Sequence, residues 1–145
     1  MEQQAKVLVT GASRGIGRSI CERLAADGYA VTGIARTRPA DWPDDRPFYT
    51  VDLAARDAVK QVLAQIAADG PYYGLVNNVG FVPTGRLEDV DVADLHMAVT
   101  LNLEVNILCA QALLPGMREL GRGRIVNIGS RAALGKRERT LYSTT

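Results

Sequence analysis

The stretch Thr10-Gly11-Ala12-Ser13-Arg14-Gly15-Ile16-Gly17 constrains this chain more than any other. It follows the apolar run Val7-Leu8-Val9 and opens the helical pattern Ile16, Ile20, Leu24. A strand that turns through glycines into a helix is a phosphate cradle. Bare backbone approaches a pyrophosphate closely there, and the free N–H groups and positive dipole end of the new helix favour negative charge. On this reading Gly11 makes the tight turn, Gly15 the close approach and Gly17 the helix-to-strand packing. A strand before and a helix after are the context that separates a dinucleotide-binding loop from an ordinary glycine-rich turn.

Composition bounds the alternatives. At 145 residues and 47% hydrophobic, the chain has the size and apolar content of one globular domain, residues 1–145. Lys+Arg 17 against Asp+Glu 16 leaves a net charge of +1, so no whole-chain field favours nucleic acid or an anionic membrane. No apolar run approaches the ~20 residues a bilayer span needs, and Met1-Glu2-Gln3-Gln4 is polar and acidic, unlike a signal peptide. A cytoplasmic location is therefore the default expectation. Cys21 and Cys109 fall inside helical patterns without Cys-x-x-Cys spacing, which reads as two reduced, buried thiols. His96, the only histidine, has no companion cysteine or carboxylate cluster, so no metal site is expected and His96 reads as a helix-surface residue. Ser130 is not in a Gly-x-Ser-x-Gly elbow, which argues against a hydrolase triad.

Lys6 to Thr10 reads as a strand buried on both faces, because its apolar residues are consecutive. A helix over about 14–27, stopped by Gly28, and a second strand over 29–35 complete a βαβ unit with parallel strands. Where that second strand ends, a dinucleotide-binding fold presents a side chain to the adenosine ribose: an acid suits the free 2′-hydroxyl, an arginine a 2′-phosphate. The chain offers Arg36 there, with Arg14 in the glycine loop on the same side. Two cations and no acid point to NADP(H) over NAD(H). Residues 37–47, rich in Pro and Asp, read as a loop with Trp42 packed across its base, leading to a short third strand at 48–51.

A helical stripe over 54–69 closes at Gly70-Pro71, and a fourth strand over 73–77 runs into Asn77-Asn78-Val79-Gly80. Residues 91–120 are strongly helical, with one break expected near Thr100, and contain Asn102-Leu103 on an apolar face, where a buried amide must find partners. A fifth strand over 123–130 ends in Ser130, and Tyr142 follows twelve residues later. With its Gly-x3-Gly-x-Gly loop, the Asn-Asn-Val-Gly segment, the asparagine-leucine pair, the serine and the tyrosine in this order, the chain resembles the short-chain dehydrogenase/reductase family, in particular its 3-oxoacyl-[acyl-carrier-protein] reductases.

That resemblance implies an α/β fold: a doubly wound, Rossmann-type parallel sheet in three α/β/α layers. It implies NADP(H) contacts at Gly11, Ser13, Arg14, Gly15, Ile16, Gly17, Arg36, Asp52, Leu53, Asn78, Val79 and Gly80, with Asp52 beside the adenine amino group. The alternative for Asp52 is an N-cap of the helix beginning near Ala54. Val79 stands where the family signature has alanine. Tyr142 would be the general acid or base, Ser130 would polarise the substrate carbonyl, and Asn102 would hold a relay water, with Asn106 ranked second. A homodimer or homotetramer is implied as well. The family signature is Tyr-x3-Lys, and the chain ends one residue before that lysine. Relatives continue for roughly a hundred residues, about 250 being an ordinary single-domain size. The chain is therefore expected to be the N-terminal part of a longer protein, poorly active alone and with strand five as an open apolar edge. Between Ser130 and Tyr142, Lys136, Arg137 and Arg139 form a basic run, either a solvated loop or an attractor for an anionic substrate or acyl carrier protein. An NADP(H)-binding sensor of the same fold without turnover is the rival reading; a lysine at position 146 would favour the enzyme.

Overall fold

The computed structural model describes residues 4–145, so most of the polar start Met1-Glu2-Gln3-Gln4 lies outside the described residues. The chain runs β1 (Lys6–Thr10), α1 (Gly15–Ala26), β2 (Ala30–Ala35), β3 (Phe48–Thr50), α2 (Arg56–Ala68), β4 (Gly74–Asn77), α3 (Val92–Val99), a π-helical segment (Thr100–Glu104), α4 (Val105–Glu119), β5 (Arg124–Asn127) and α5 (Thr140–Thr144). The five strands form one parallel sheet in the order β3-β2-β1-β4-β5. Winding therefore proceeds outward from β1 in one direction and from β4 in the other. The reversal lies between β1 and β4, where a doubly wound sheet opens its ligand crevice.

β1 is buried on both faces, as its unbroken apolar run requires. Leu8 joins Ile34, Leu63, Ile66, Leu75, Cys109 and Leu113 under α2 and α4, while Val7 and Val9 join Cys21, Val31, Trp42 and Val76 under α1. Alternation of side chains along the strand serves two helical layers at once, which yields the three-layer α/β/α arrangement. Both cysteines sit in these cores as free thiols. Burial pushes Cys21 up to about 11 and Cys109 up to about 12, so both stay protonated and unreactive near neutral pH. His96 is exposed on α3.

Several boundaries differ from the sequence expectation. Residues 92–119 form one helical run, and the break expected near Thr100 is a π segment in which the Val105 N–H bonds to the Thr100 carbonyl. This 28-residue run contains an 18-residue window of mean hydropathy 1.5, long and apolar enough by length and composition to cross a membrane, although Asp94, His96, Asn102, Glu104 and Asn106 keep it from being an unbroken apolar run. Its Val105, Cys109, Leu113 and Met117 pack into the core with α2, as in a helix that covers a sheet. Asp52 does not cap α2, which begins at Arg56 after Ala55; its carboxylate instead accepts the Ala54 N–H at 3.0 Å, closing a turn one step earlier. β5 is shorter than expected. It forms an open edge, with Ile125 and Val126 more than 40% exposed.

Candidate active site

The crevice is built on Thr10, the last residue of β1, which is fully buried. Its hydroxyl oxygen accepts the N–H groups of Asn78 and Val79, each at 3.0 Å, just past the end of β4. Asn78 returns the contact, its Nδ2 donating to the carbonyls of Thr10 at 3.0 Å and Gly11 at 3.3 Å. Thr10 is buried and its partners are half-buried, so these exchanged bonds satisfy the polar groups where the sheet ends and lock β1 and β4 side by side. Asn77, one residue earlier, ties β4 to β5 by donating to Asn127 Oδ1 at 2.8 Å.

This lock explains the glycines. Gly11 has φ +66, and a Cβ on it would lie 2.9 Å from Asn78 Nδ2; a Cβ on Gly17 would collide with the Gly11 carbonyl oxygen. Gly15, at φ +55, has nothing within 4 Å of where its Cβ would be. Two glycines thus face packed protein and one faces open space. Arg14 precedes α1 without a side-chain cap, so the first N–H groups of that helix are left for a ligand. Ser13 is half-buried in the loop, and Ile16 is 66% exposed beside it.

Arg36 follows β2 and is exposed, as is Arg14. Among the described residues neither forms an ion pair, although their neighbours do. Arg18 pairs with Glu22 at 2.8 Å and Asp41 at 3.3 Å, and Arg38 pairs with Asp44 at 3.1 Å. Asp41 and Asp44 of the 37–47 loop are thus engaged by other arginines. The loop itself is fixed: Trp42 is buried with Arg18 over its ring at 5.1 Å, its edge lies against Phe48 at 4.7 Å, and its indole N–H donates to the Arg46 carbonyl at 2.8 Å. A glycine loop with an open face and an uncapped helix start fits a dinucleotide. Asp52 is exposed near the same edge, whereas the Leu53 side chain belongs to the core, leaving only its backbone for a ligand. Val79 packs against the core, and Gly80 adjoins Asn102, whose Oδ1 would lie 3.5 Å from a Cβ there.

Ser130 and Tyr142 line one cavity of about 450 Å³ together with Val82, Arg131, Lys136 and Arg139. The Ser130 hydroxyl oxygen accepts the Ala132 N–H at 3.1 Å, which orients it while leaving its proton to donate. Asn102 is not in the cavity wall. Its Oδ1 accepts the Phe81 N–H at 2.7 Å, and its Nδ2 donates to the Phe81 carbonyl at 3.0 Å and the Thr145 hydroxyl at 2.8 Å. The amide therefore clamps the loop after β4 to the residue following α5. The backbone carbonyl of Asn102 accepts from Asn106 Nδ2 at 2.8 Å. Thr10, Phe81, Arg131 and Thr145 escaped the sequence reading. For Thr10 the signal was a polar residue ending a fully apolar strand just before the glycine turn.

Comparison with known proteins decides the family. The short chain dehydrogenase family matches residues 5–145, nearly the whole chain. This chain belongs to the short-chain dehydrogenase/reductase family. An acetoacetyl-CoA reductase of Rhizobium meliloti is 35% identical over 129 residues, covering 85% of this chain and 54% of the reductase. A short-chain dehydrogenase structure from Streptomyces avermitilis superposes with a TM-score of 0.91 at 33% identity, covering 99% of this chain and 56% of the other. A Beutenbergia cavernae protein described as an NAD(P)-dependent gluconate 5-dehydrogenase, solved with NADP at low occupancy, superposes at 0.89 with 29% identity over 97% of this chain and 60% of its own. The short-chain dehydrogenase chain thus spans a little over half the length of these relatives.

Proposed function

We propose that this short-chain dehydrogenase is an NADP(H)-dependent oxidoreductase that interconverts a ketone or 3-oxoacyl group and a secondary alcohol. The observation that carries the reading is the convergence of Ser130 and Tyr142 on one cavity beyond the carboxyl ends of the strands. The preference for NADP(H) rests on Arg14 and Arg36, and gains support from the NADP-bound relative. Gly11, Ser13, Gly15, Ile16 and Gly17 would carry the pyrophosphate side, Asp52 and Leu53 the adenine side, and Asn78, Val79 and Gly80 the ribose side.

The chemistry that NADPH would supply, when held by these residues, is a hydride for the carbonyl carbon. The Ser130 hydroxyl donates a hydrogen bond to the substrate oxygen and stabilises the charge that develops there. Tyr142 gives that oxygen its proton in reduction and takes it back in oxidation. Asn102 holds the Phe81 loop against the residue after α5, so that Tyr142 and the cavity wall keep a fixed relation. The apolar stripe Val92, Val99, Leu103, Ile107 and Leu114, exposed along the outer side of the long helical run, suits a second copy of this chain.

Replacing Tyr142 with Phe tests the chemistry. The expected result is a loss of about a hundredfold or more in kcat for carbonyl reduction with NADPH affinity unchanged. Undiminished turnover in Tyr142→Phe would remove Tyr142 from the reaction, and a protein that binds NADPH but reduces no carbonyl compound would favour the sensor reading.

A further inference from the structure

We propose that the cavity holding Ser130 and Tyr142 selects a carbonyl substrate bearing a negative charge, and that Lys136 and Arg139, backed by Arg131, hold that charge. The inference rests on the oxidoreductase reading of the same cavity and adds the substrate class. Three of the side chains lining the cavity are cationic and none is acidic. Among the described residues none of the three forms an ion pair. The one carboxylate of this basic run, Glu138, lies 3.9 Å from Arg86 and does not line the cavity. Like charges gathered around one concavity raise its potential and concentrate anions there.

Sequence alone leaves the run 136–139 open to a bland reading as a solvated loop. In the structure its C-terminal end is pinned. The Gly85 N–H donates to the Glu138 carbonyl at 3.0 Å, the Thr140 hydroxyl donates to the Gly85 carbonyl at 3.2 Å, and Gly85 and Arg139 form a parallel bridge. To reach this contact Glu138 adopts φ +55, the only positive φ of a non-glycine among the described residues. An L side chain avoids that region unless its surroundings impose it. Arg139 is half-buried, and one guanidinium nitrogen is spent on the Glu138 carbonyl at 3.0 Å, which holds the head and leaves its other donors free. The same short segment delivers Tyr142 on α5. Arg139 and Tyr142 are thus positioned by one clamp, with Lys136 on the wall of the same cavity, so a substrate reaching Tyr142 with its carbonyl meets Lys136 and Arg139 with the rest of its length.

A carboxylate on a small oxo acid and the phosphates of a coenzyme A thioester offer the same chemistry, so the test uses two matched pairs. Binding to the protein is measured calorimetrically, with NADP present and absent, for 5-oxohexanoate against neutral 5-oxohexanamide, and for acetoacetyl-CoA against neutral acetoacetyl-N-acetylcysteamine. The charged member of at least one pair is expected to bind about tenfold more tightly at low salt, less so as salt rises. In the double variant Lys136→Gln/Arg139→Gln this preference falls about fivefold or more, while Lys136→Arg/Arg139→Lys restores it. Arg137→Gln, exposed and outside the cavity wall, retains it. A preference confined to the oxo acid identifies a carboxylate, and one confined to the thioester identifies phosphates. Equal binding of charged and neutral members, no binding of either pair, or a preference that survives in the Gln double variant overturns the proposal. Turnover is read separately: charge-selective binding without turnover keeps the anion site and removes the oxidoreductase reading, whereas turnover without charge preference does the reverse.

Discussion

Thr10 shows how much of this site depends on one hydroxyl. Two backbone N–H groups, those of Asn78 and Val79, converge on its oxygen at the point where β1 and β4 part. Thr10→Val keeps the shape and removes the acceptor, leaving two half-buried donors without their protein partner. Each such group costs about 1–3 kcal/mol, so Thr10→Val is expected to lower unfolding stability by about 3 kcal/mol in urea denaturation, with Thr10→Ser close to the parent. An unchanged midpoint for Thr10→Val would show that the lock contributes nothing. At this scale much was legible in the chain. The glycine loop is recognisable because its short-range spacing between a strand and a helix carries its chemistry, whereas Asn78, Ser130 and Tyr142 are candidates that only the resemblance to the family's motifs singles out. Arg18 was only half legible. Its pairing with Glu22 follows from the i,i+4 rule, but its hold on Asp41 and Trp42, more than twenty residues away, exists only once the loop folds back over α1.

At the scale of elements, the long helical run is the instructive case. The sequence pattern changes phase near Thr100, and one extra residue in a turn shifts an apolar stripe by about a hundred degrees, which on paper looks like a break. The structure absorbs the residue as a π segment and places Asn102 in it. This lets the amide reach the Phe81 backbone and Thr145 while α3 and α4 continue as one rod. Asn102→Asp retains an acceptor for the Phe81 N–H but loses both donations and sets an anion against the Phe81 carbonyl. It is expected to cost about 2 kcal/mol and to lower turnover together with stability. A variant of parent-like stability in thermal and urea denaturation would contradict the clamp. Asp52 gives the opposite lesson: an acid two residues before a helical pattern reads as its cap, but local hydrogen bonding closed a separate turn first and the helix began at Arg56.

For the whole molecule, the strand order could be anticipated only in part. Parallel pairing of β1 and β2 follows from the handedness of a βαβ unit. The return across β1 to place β4 and β5 on its other side is a long-range packing outcome with no local signature. The gathering of Arg131, Lys136 and Arg139 around the Ser130 and Tyr142 cavity was hidden for the same reason, since it depends on a bridge between Gly85 and Arg139. The outer apolar stripe is testable at this scale. If a second copy covers it, Leu103→Glu/Ile107→Glu shifts the protein from dimer or tetramer to monomer in sedimentation velocity; an assembly that survives the double substitution lies elsewhere. The NADP(H) preference proposed for the crevice is read by a fluorescence titration with NADPH and NADH. NADPH is expected to bind at micromolar or lower concentration and about ten- to a hundredfold more tightly than NADH, the range set by charge-assisted hydrogen bonds to the 2′-phosphate. Arg36→Asp should abolish that preference. Equal affinity for the two nucleotides, or no binding of either by a protein shown to be folded, would contradict the account.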